Sequence, residues 1–129
     1  MTKIRYNELT KEQKEVICNG CGGKGGKLNP PDFMFTASCN HHDFNYWLGH
    51  TEEDRRKADK QFLEAMLNDI SVLPFWKRFF FRKIAYTYYK AVRLFGKSFF
   101  YYAKAERTKE DLLSIIHEKE VFNNYTRKK

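Results

Sequence analysis

The run from Cys18 to Asp32, CNGCGGKGGKLNPPD, most constrains what this chain can fold into. Its glycines (Gly20, Gly22, Gly23, Gly25 and Gly26) raise the entropic cost of any regular element. Pro30 and Pro31 remove backbone donors, so neither helix nor strand can span the run. Regular structure must lie in a short stretch before it and a long one after it. Thr10, with Glu12 and Gln13 in the first turn, starts a short helix through Ile17. A second helix is predicted from about Thr36 to Leu48, stopped by Gly49 in the position of a left-handed cap. Thr51 opens a third, with Asp54 at capping-box spacing, and Phe62, Leu63, Met66 and Ile70 form an apolar stripe along it. Pro74 marks the next start. From Phe75 to about Lys104 the chain reads as one long helix or two, with Gly96 as a weak point. Thr108, followed by Glu110 and Asp111, caps a last helix through about Val121, with Leu112, Ile115 and Ile116 inward. The polar tail from Asn123 is expected to fray. The fold class is all-α.

A chain of 129 residues is one domain by length, with room for a modest core. Its net charge of +8 is unevenly spread. Between Ile70 and Ala105 there are eight basic residues and no acidic one, which leaves 16 basic against 16 acidic elsewhere. That segment also holds 13 aromatic residues, too many for one narrow buried stripe, so some must face outward or line a cavity. A basic, aromatic surface suits an anionic partner. Lysines and stacking rings would serve a nucleic acid, and rings inserted among anionic head groups would serve a membrane surface. A core with a solvated face would need no partner. Residues 1–7 carry no apolar run resembling a signal peptide, and no apolar span of about 18 residues occurs.

The chemistry gathers in Cys39-Asn40-His41-His42-Asp43-Phe44-Asn45-Tyr46. On a helix, His42 and Tyr46 share one face, and Cys39 and Asp43 share an adjacent strip. Asp59 falls on the apolar stripe of the following helix, at i−3 to Phe62 and i−4 to Leu63. A buried carboxylate is costly unless hydrogen-bonded, which makes the histidines of the preceding helix its nearest candidate partners. The alternative is a solvated Asp59 at the stripe's edge. A histidine oriented by a carboxylate can serve as a general base near neutral pH. Asp43 and carbonyls of the glycine run could form an oxygen shell for a hard cation such as calcium. A rival use of the same residues is zinc, with Cys18, Cys21, Cys39 and His41 or His42 as a Cys3His structural site. Nothing in the chain resembles a serine nucleophile elbow or a phosphate-binding loop. His50 is expected at the surface and His117 to be structural or solvated.

The spacing Cys39-x-x-His42-Asp43-x-x-Tyr46 resembles the active-site helix of the phospholipase A2 superfamily, written Cys-x-x-His-Asp-x-Cys-Tyr. Asn19-Gly20-Cys21-Gly22 is similar to that superfamily's calcium loop, and Lys57-Ala58-Asp59 to its partner helix. The small prokaryotic and fungal members are nearest in style, with Phe33-x-Phe35 leading into Ala37-Ser38-Cys39. The resemblance covers roughly residues 18–70. It implies two antiparallel active-site helices, with His42 activating water, Asp59 holding its tautomer and Tyr46 bonding Asp59. It implies calcium on Asp43 and on the backbone carbonyls of Gly20, Gly22 and Lys24, and a Cys21–Cys39 bridge that leaves Cys18 a thiol. Asn45 stands where many members have Cys, and Lys24 where the loop usually has Gly.

Taken together, residues 1–129 read as one phospholipase A2-like domain. Its active-site region is 18–70, followed by a basic aromatic helical region at 74–105 and a C-terminal helix at 108–121. The expected activity is calcium-dependent hydrolysis of the sn-2 ester of glycerophospholipids at an anionic phospholipid membrane surface, with a secreted location implied by the resemblance. The alternative is a catalytically silent relative that binds anionic membranes or nucleic acid.

Overall fold

The computed structural model describes residues 3–18, 20–21 and 31–127. The described residues form five α-helices: α1 (Lys11–Ile17), α2 (Thr36–Leu48), α3 (Glu52–Ile70), α4 (Phe75–Phe95) and α5 (Lys109–Arg127), with 3-10 turns at Tyr6–Glu8 and Gly96–Phe99. The fold is all-α. Capping boxes start two of the helices: Thr10 and Gln13 exchange bonds at α1, and Thr51 and Asp54 at α3. Each satisfies amide groups that a helix's first turn leaves without intrahelical partners.

α2 and α3 run antiparallel. Ser38 bonds Asp69, His42 bonds Asp59 and Tyr46 contacts Arg55, so partners descend α3 as they climb α2. The turn between the helices depends on Gly49. Its φ is +71°, and a Cβ there would lie 1.9 Å from the carbonyl oxygen of Tyr101. Only glycine tolerates both.

Below this pair lies the main core, where Phe35, Cys39, Phe62, Met66 and Ile70 close around Ala85 of α4. The apolar stripe read along α3 thus packs on two neighbours. A second cluster joins Ile4, Leu9 and Ile17 to Phe44 of α2 and Leu112 of α5.

Two helix ends differ from the sequence expectation. α4 stops at Phe95, at the weak point expected of Gly96, and no second α-helix carries the chain on to Lys104. Gly96 lies against Tyr46 and Arg55, and a Cβ on it would meet Tyr46 Oη at 2.4 Å and Arg55 Nη1 at 3.1 Å. Beyond it Phe100 is extended (ψ 137°) and packs edge-on to Tyr46, with ring centroids 5.2 Å apart. The following strand-like stretch bonds back to the end of α2, Tyr101 N to Tyr46 O (3.2 Å) and Arg107 N to Leu48 O (2.9 Å). Those tertiary bonds replace the helical ones that a longer α4 would have made. α5 in turn continues to Arg127 instead of ending near Val121. No Gly or Pro interrupts its last turns, and elongation of a formed helix adds one bond per residue fixed.

Candidate active site

Asp59 is the centre of the site and is wholly buried. Its Oδ1 accepts from His42 Nε2 at 2.7 Å and from the Tyr46 hydroxyl at 2.6 Å. Its Oδ2 accepts from Arg93 Nη1 at 2.7 Å and from Arg55 Nη1 at 3.4 Å. Three helices therefore converge on one carboxylate. α2 brings His42 and Tyr46 four residues apart on one face, α3 brings Asp59 and Arg55, and α4 brings Arg93. The cost of burying a charge is met by four donors, two of them cationic.

Electrostatics follow from this arrangement. Burial pushes the Asp59 carboxyl up, but the hydrogen bonds from His42, Tyr46 and Arg93 outweigh it and hold its pKa below the ordinary value of 3.8. Burial acts in the opposite sense on a base. It lowers the His42 pKa below 6.5, against the raising effect of Asp59. Tyr46 is driven upward by burial and by Asp59, so it stays a hydroxyl donor. At neutral pH the group is an ionised carboxylate and a neutral imidazole. An ionised carboxylate only accepts, so Nε2 carries the ring proton and Nδ1 keeps its lone pair. The ring stacks on Phe62 (centroids 4.5 Å apart) and tilts against Tyr46 (4.3 Å).

The other cation, Arg55, is buried and tied to Glu52 by Nη2 (2.7 Å) and to the carbonyl of Val92 by Nη1 (3.0 Å). Glu52 is held down to about 2, first by Arg55 and then by the hydroxyl of Tyr102. Neither arginine was among the residues singled out from the sequence. Arg55 had a local signal, since it stands four residues before Asp59 on the same helix face. Arg93 had none, being 34 residues away in the chain.

On the other side of α2, Asp43 is half-buried one position beyond His42. Its charge reaches the Tyr6 phenol, whose pKa is raised by burial first and then by Cys18 and Asp43. Gly20 donates its amide to Asn40 Oδ1 (2.7 Å), and the Cys21 amide bonds Asp32 Oδ1 (3.0 Å). A disulfide joins Cys21 to Cys39. The start of the glycine run is thereby fastened to α2, where Asn40 and Asp43 stand three residues apart on one face. Gly22 and Lys24 lie outside the described residues. Among the described residues no cluster of three or more His, Cys, Asp or Glu is placed to hold a metal. One carboxylate plus backbone carbonyls needs no such cluster, and its oxygen donors suit calcium.

Zinc does not survive the geometry. Cys21 and Cys39 are consumed by their disulfide, and His42 is bonded to Asp59. His41 stacks on Tyr6 at 4.7 Å, and Cys18 Sγ donates to the Asn40 carbonyl at 3.2 Å. A Cys3His site would need the two thiolates that the bridge removes. His50 pairs with Asp54 at 3.1 Å near the surface, and His117 is exposed.

Residues 2–96 match the model of a family described as prokaryotic phospholipase A2. The match spans α1 to α4, and so includes every side chain placed around Asp59. Neither the curated proteins nor the solved structures contain a match.

Proposed function

Because the chain belongs to the prokaryotic phospholipase A2 family, we propose that it hydrolyses the sn-2 ester of membrane glycerophospholipids in a calcium-dependent reaction, with His42 as the base. The observation that carries this reading is the buried contact of His42 Nε2 with Asp59 Oδ1 at 2.7 Å. It leaves Nδ1 to take a proton from water as the water oxygen attacks the ester carbonyl. Asp59 then stabilises the imidazolium through the Nε2 proton, and Tyr46 and the two arginines keep the carboxylate in place. When the tetrahedral intermediate collapses, the lysophospholipid oxygen leaves and takes the proton back from Nδ1. The products are a fatty acid and a lysophospholipid. A positioned base of this type contributes roughly 10²–10⁴-fold to a rate. Calcium, held by Asp43 and the backbone carbonyls of Gly20, Gly22 and Lys24, would supply positive charge for the developing oxyanion.

Lipid is the family's substrate class, and the outer face of α4 supports an anionic bilayer as the surface on which this chain works. Phe75, Trp76, Phe79 and Phe80 are all more than half exposed there, beside Lys77, Arg82 and Lys83. Aromatic anchors with basic flanks are the composition of a helix that lies in a membrane interface. No helix among the described residues is long and apolar enough to cross a membrane.

The test is fatty-acid release from phospholipid vesicles, with calcium and with a chelator, by the wild type and by His42→Ala. The wild type should release fatty acid with calcium alone, and His42→Ala should lose at least about 100-fold. Activity that survives the chelator, or survives in His42→Ala, would sink the mechanism.

A further inference from the structure

The hydrolytic reading puts two donors on one oxygen of Asp59 and two arginines on the other, without dividing the work between the arginines. Oδ2 faces two guanidinium groups, and they are not equivalent. Arg55 is committed elsewhere: its Nε and Nη2 bond Glu52 at 3.0 and 2.7 Å, and its Nη1 bonds the Val92 carbonyl. It reaches Asp59 only at 3.4 Å. Arg93 makes the short bond, Nη1 to Oδ2 at 2.7 Å, and stands 3.6 Å from Glu52. The four charges thus sort into two pairs, Arg55 with Glu52 and Arg93 with Asp59.

We propose that Arg93 is a positioning residue for the hydrolysis, acting through Asp59. A carboxylate can rotate about its Cβ–Cγ bond, and the two donors on Oδ1 resist that rotation from one side only. The short charged bond to Oδ2 anchors the other side, and so stiffens the carboxylate that holds His42 Nε2. It also keeps Asp59 an acceptor, on which the lone pair at Nδ1 depends. A purely structural reading would have Arg93 tie α4 to α3. That reading, in which Arg93 only ties the helices and offsets the buried charge of Asp59, predicts a lower thermal midpoint with kcat of the folded enzyme unchanged.

The inference rests on the hydrolase reading, and the experiment separates the two. Arg93→Gln and Arg93→Lys are made in the wild-type and Asp59→Asn backgrounds. kcat, KM and the thermal midpoint are measured on phospholipid with saturating calcium. Arg93→Gln should lower kcat by about 10- to 100-fold, a share of what a positioned base contributes, with KM changed less than about twofold. Arg93→Lys should recover to within about tenfold of wild type, because it keeps the charge and loses the planar fork. In Asp59→Asn the Gln effect should largely vanish, since its target is gone. Should Arg93→Gln lose its thermal transition, Arg93→Lys takes its place in the cycle, and its smaller loss must vanish likewise. An active wild type whose Arg93 variants keep full kcat overturns this inference alone. So do losses that add in full to that of Asp59→Asn. A wild type that releases no fatty acid with calcium overturns the hydrolase reading, and this one with it.

Discussion

His42 Nε2 and Asp59 Oδ1 lie 2.7 Å apart inside a site where Asp59 is fully buried and His42 nearly so. Two opposite tendencies meet there. Burial drives the imidazole toward neutrality and the carboxyl toward its acid form, while the hydrogen bonds from His42, Tyr46 and Arg93 restore the carboxylate. The pair consequently rests as neutral base and ionised orienter, the state a proton-accepting Nδ1 requires.

A pH dependence follows from those two shifts. Both native pKa values lie below their ordinary values of 6.5 for His42 and 3.8 for Asp59. The unfolded chain therefore binds more protons than the native one in each window, and stability falls as pH falls. The His42 contribution is full above 6.5 and is lost as pH drops toward its lowered native value. The Asp59 contribution is full above 3.8 and is lost below it. Thermal midpoints from pH 8 to pH 3 should decline below about 6.5 and again below about 4. The acid limb of fatty-acid release should lie below that of an ordinary histidine. A midpoint that rises on acidification would contradict the assignment of these groups.

Asp43→Asn isolates the cation from the base. The amide keeps the shape and loses the charge that a hard divalent ion seeks. Calorimetric calcium binding should weaken at least about tenfold, while the thermal midpoint without calcium stays near wild type. Because the Cys21–Cys39 disulfide fastens the start of the glycine run to α2, reduction should weaken calcium binding in the same direction. Unchanged calcium affinity in Asp43→Asn would move the ion elsewhere.

Gly96→Ala tests how tightly α4 closes on the site. The added methyl would stand 2.4 Å from Tyr46 Oη, and Tyr46 is buried, with its ring edge-on to Phe100 and its hydroxyl bonded to Asp59. Overpacking of this kind costs about 1–3 kcal/mol. Displacing the hydroxyl also takes one of the two donors from Asp59 Oδ1. Urea unfolding should show the loss of stability, and kcat should fall with it. Tyr46→Phe, which removes the hydroxyl without the clash, should share the fall in kcat and relieve the clash when combined with Gly96→Ala. Equal stability of Gly96→Ala and wild type would mean that the close approach is not maintained in solution.

The same glycine marks the boundary between what the sequence disclosed and what it hid. Thr10 with Gln13, Thr51 with Asp54 and the stripe Phe62, Met66, Ile70 are local signals, and each helix they define stands where it was expected. Asp59 was suspect for a physical reason, a carboxylate on a buried stripe, and that reason also pointed to the histidines of the preceding helix, of which the fold brings His42. Gly96 was legible as the weak point where α4 ends, but the reason for a glycine there was not, because it lies in Tyr46 and Arg55, some 40 to 50 positions earlier in the chain. Arg93 was hidden for the same reason. Within α4 it looks like any other basic residue of a basic helix, and only the fold sets it on Asp59.

The remaining question is what the outer face of α4 meets. Its aromatic residues make the helix amphipathic toward solvent as well as toward the core, with Phe75 77% and Trp76 69% exposed. Lys77 lies over the Trp76 ring at 5.2 Å and Lys83 over Phe79 at 4.7 Å, so the cations sit on the rings that would insert. Burying one such ring contributes about 1.5–3 kcal/mol, and each lysine near an anionic leaflet about 1 kcal/mol. The two terms separate by experiment. Sedimentation with anionic vesicles should exceed that with neutral ones at low salt, and the difference should shrink as salt screens the charges. Trp76→Ala with Phe79→Ala should weaken binding to both kinds of vesicle. Lys77→Glu with Lys83→Glu should weaken only the anionic preference. None of these four side chains touches His42 or Asp59, so hydrolysis of a short-chain, monomeric phospholipid should stay within about twofold of wild type in both double variants. Equal binding to anionic and neutral vesicles would remove the electrostatic part of the reading. Tighter binding to polynucleotide than to anionic vesicles at the same salt would reassign the face altogether. If hydrolysis of monomeric lipid fell together with vesicle binding, α4 could not be a docking element alone, and its outer face would have to bear on the packing that holds Arg93 against Asp59.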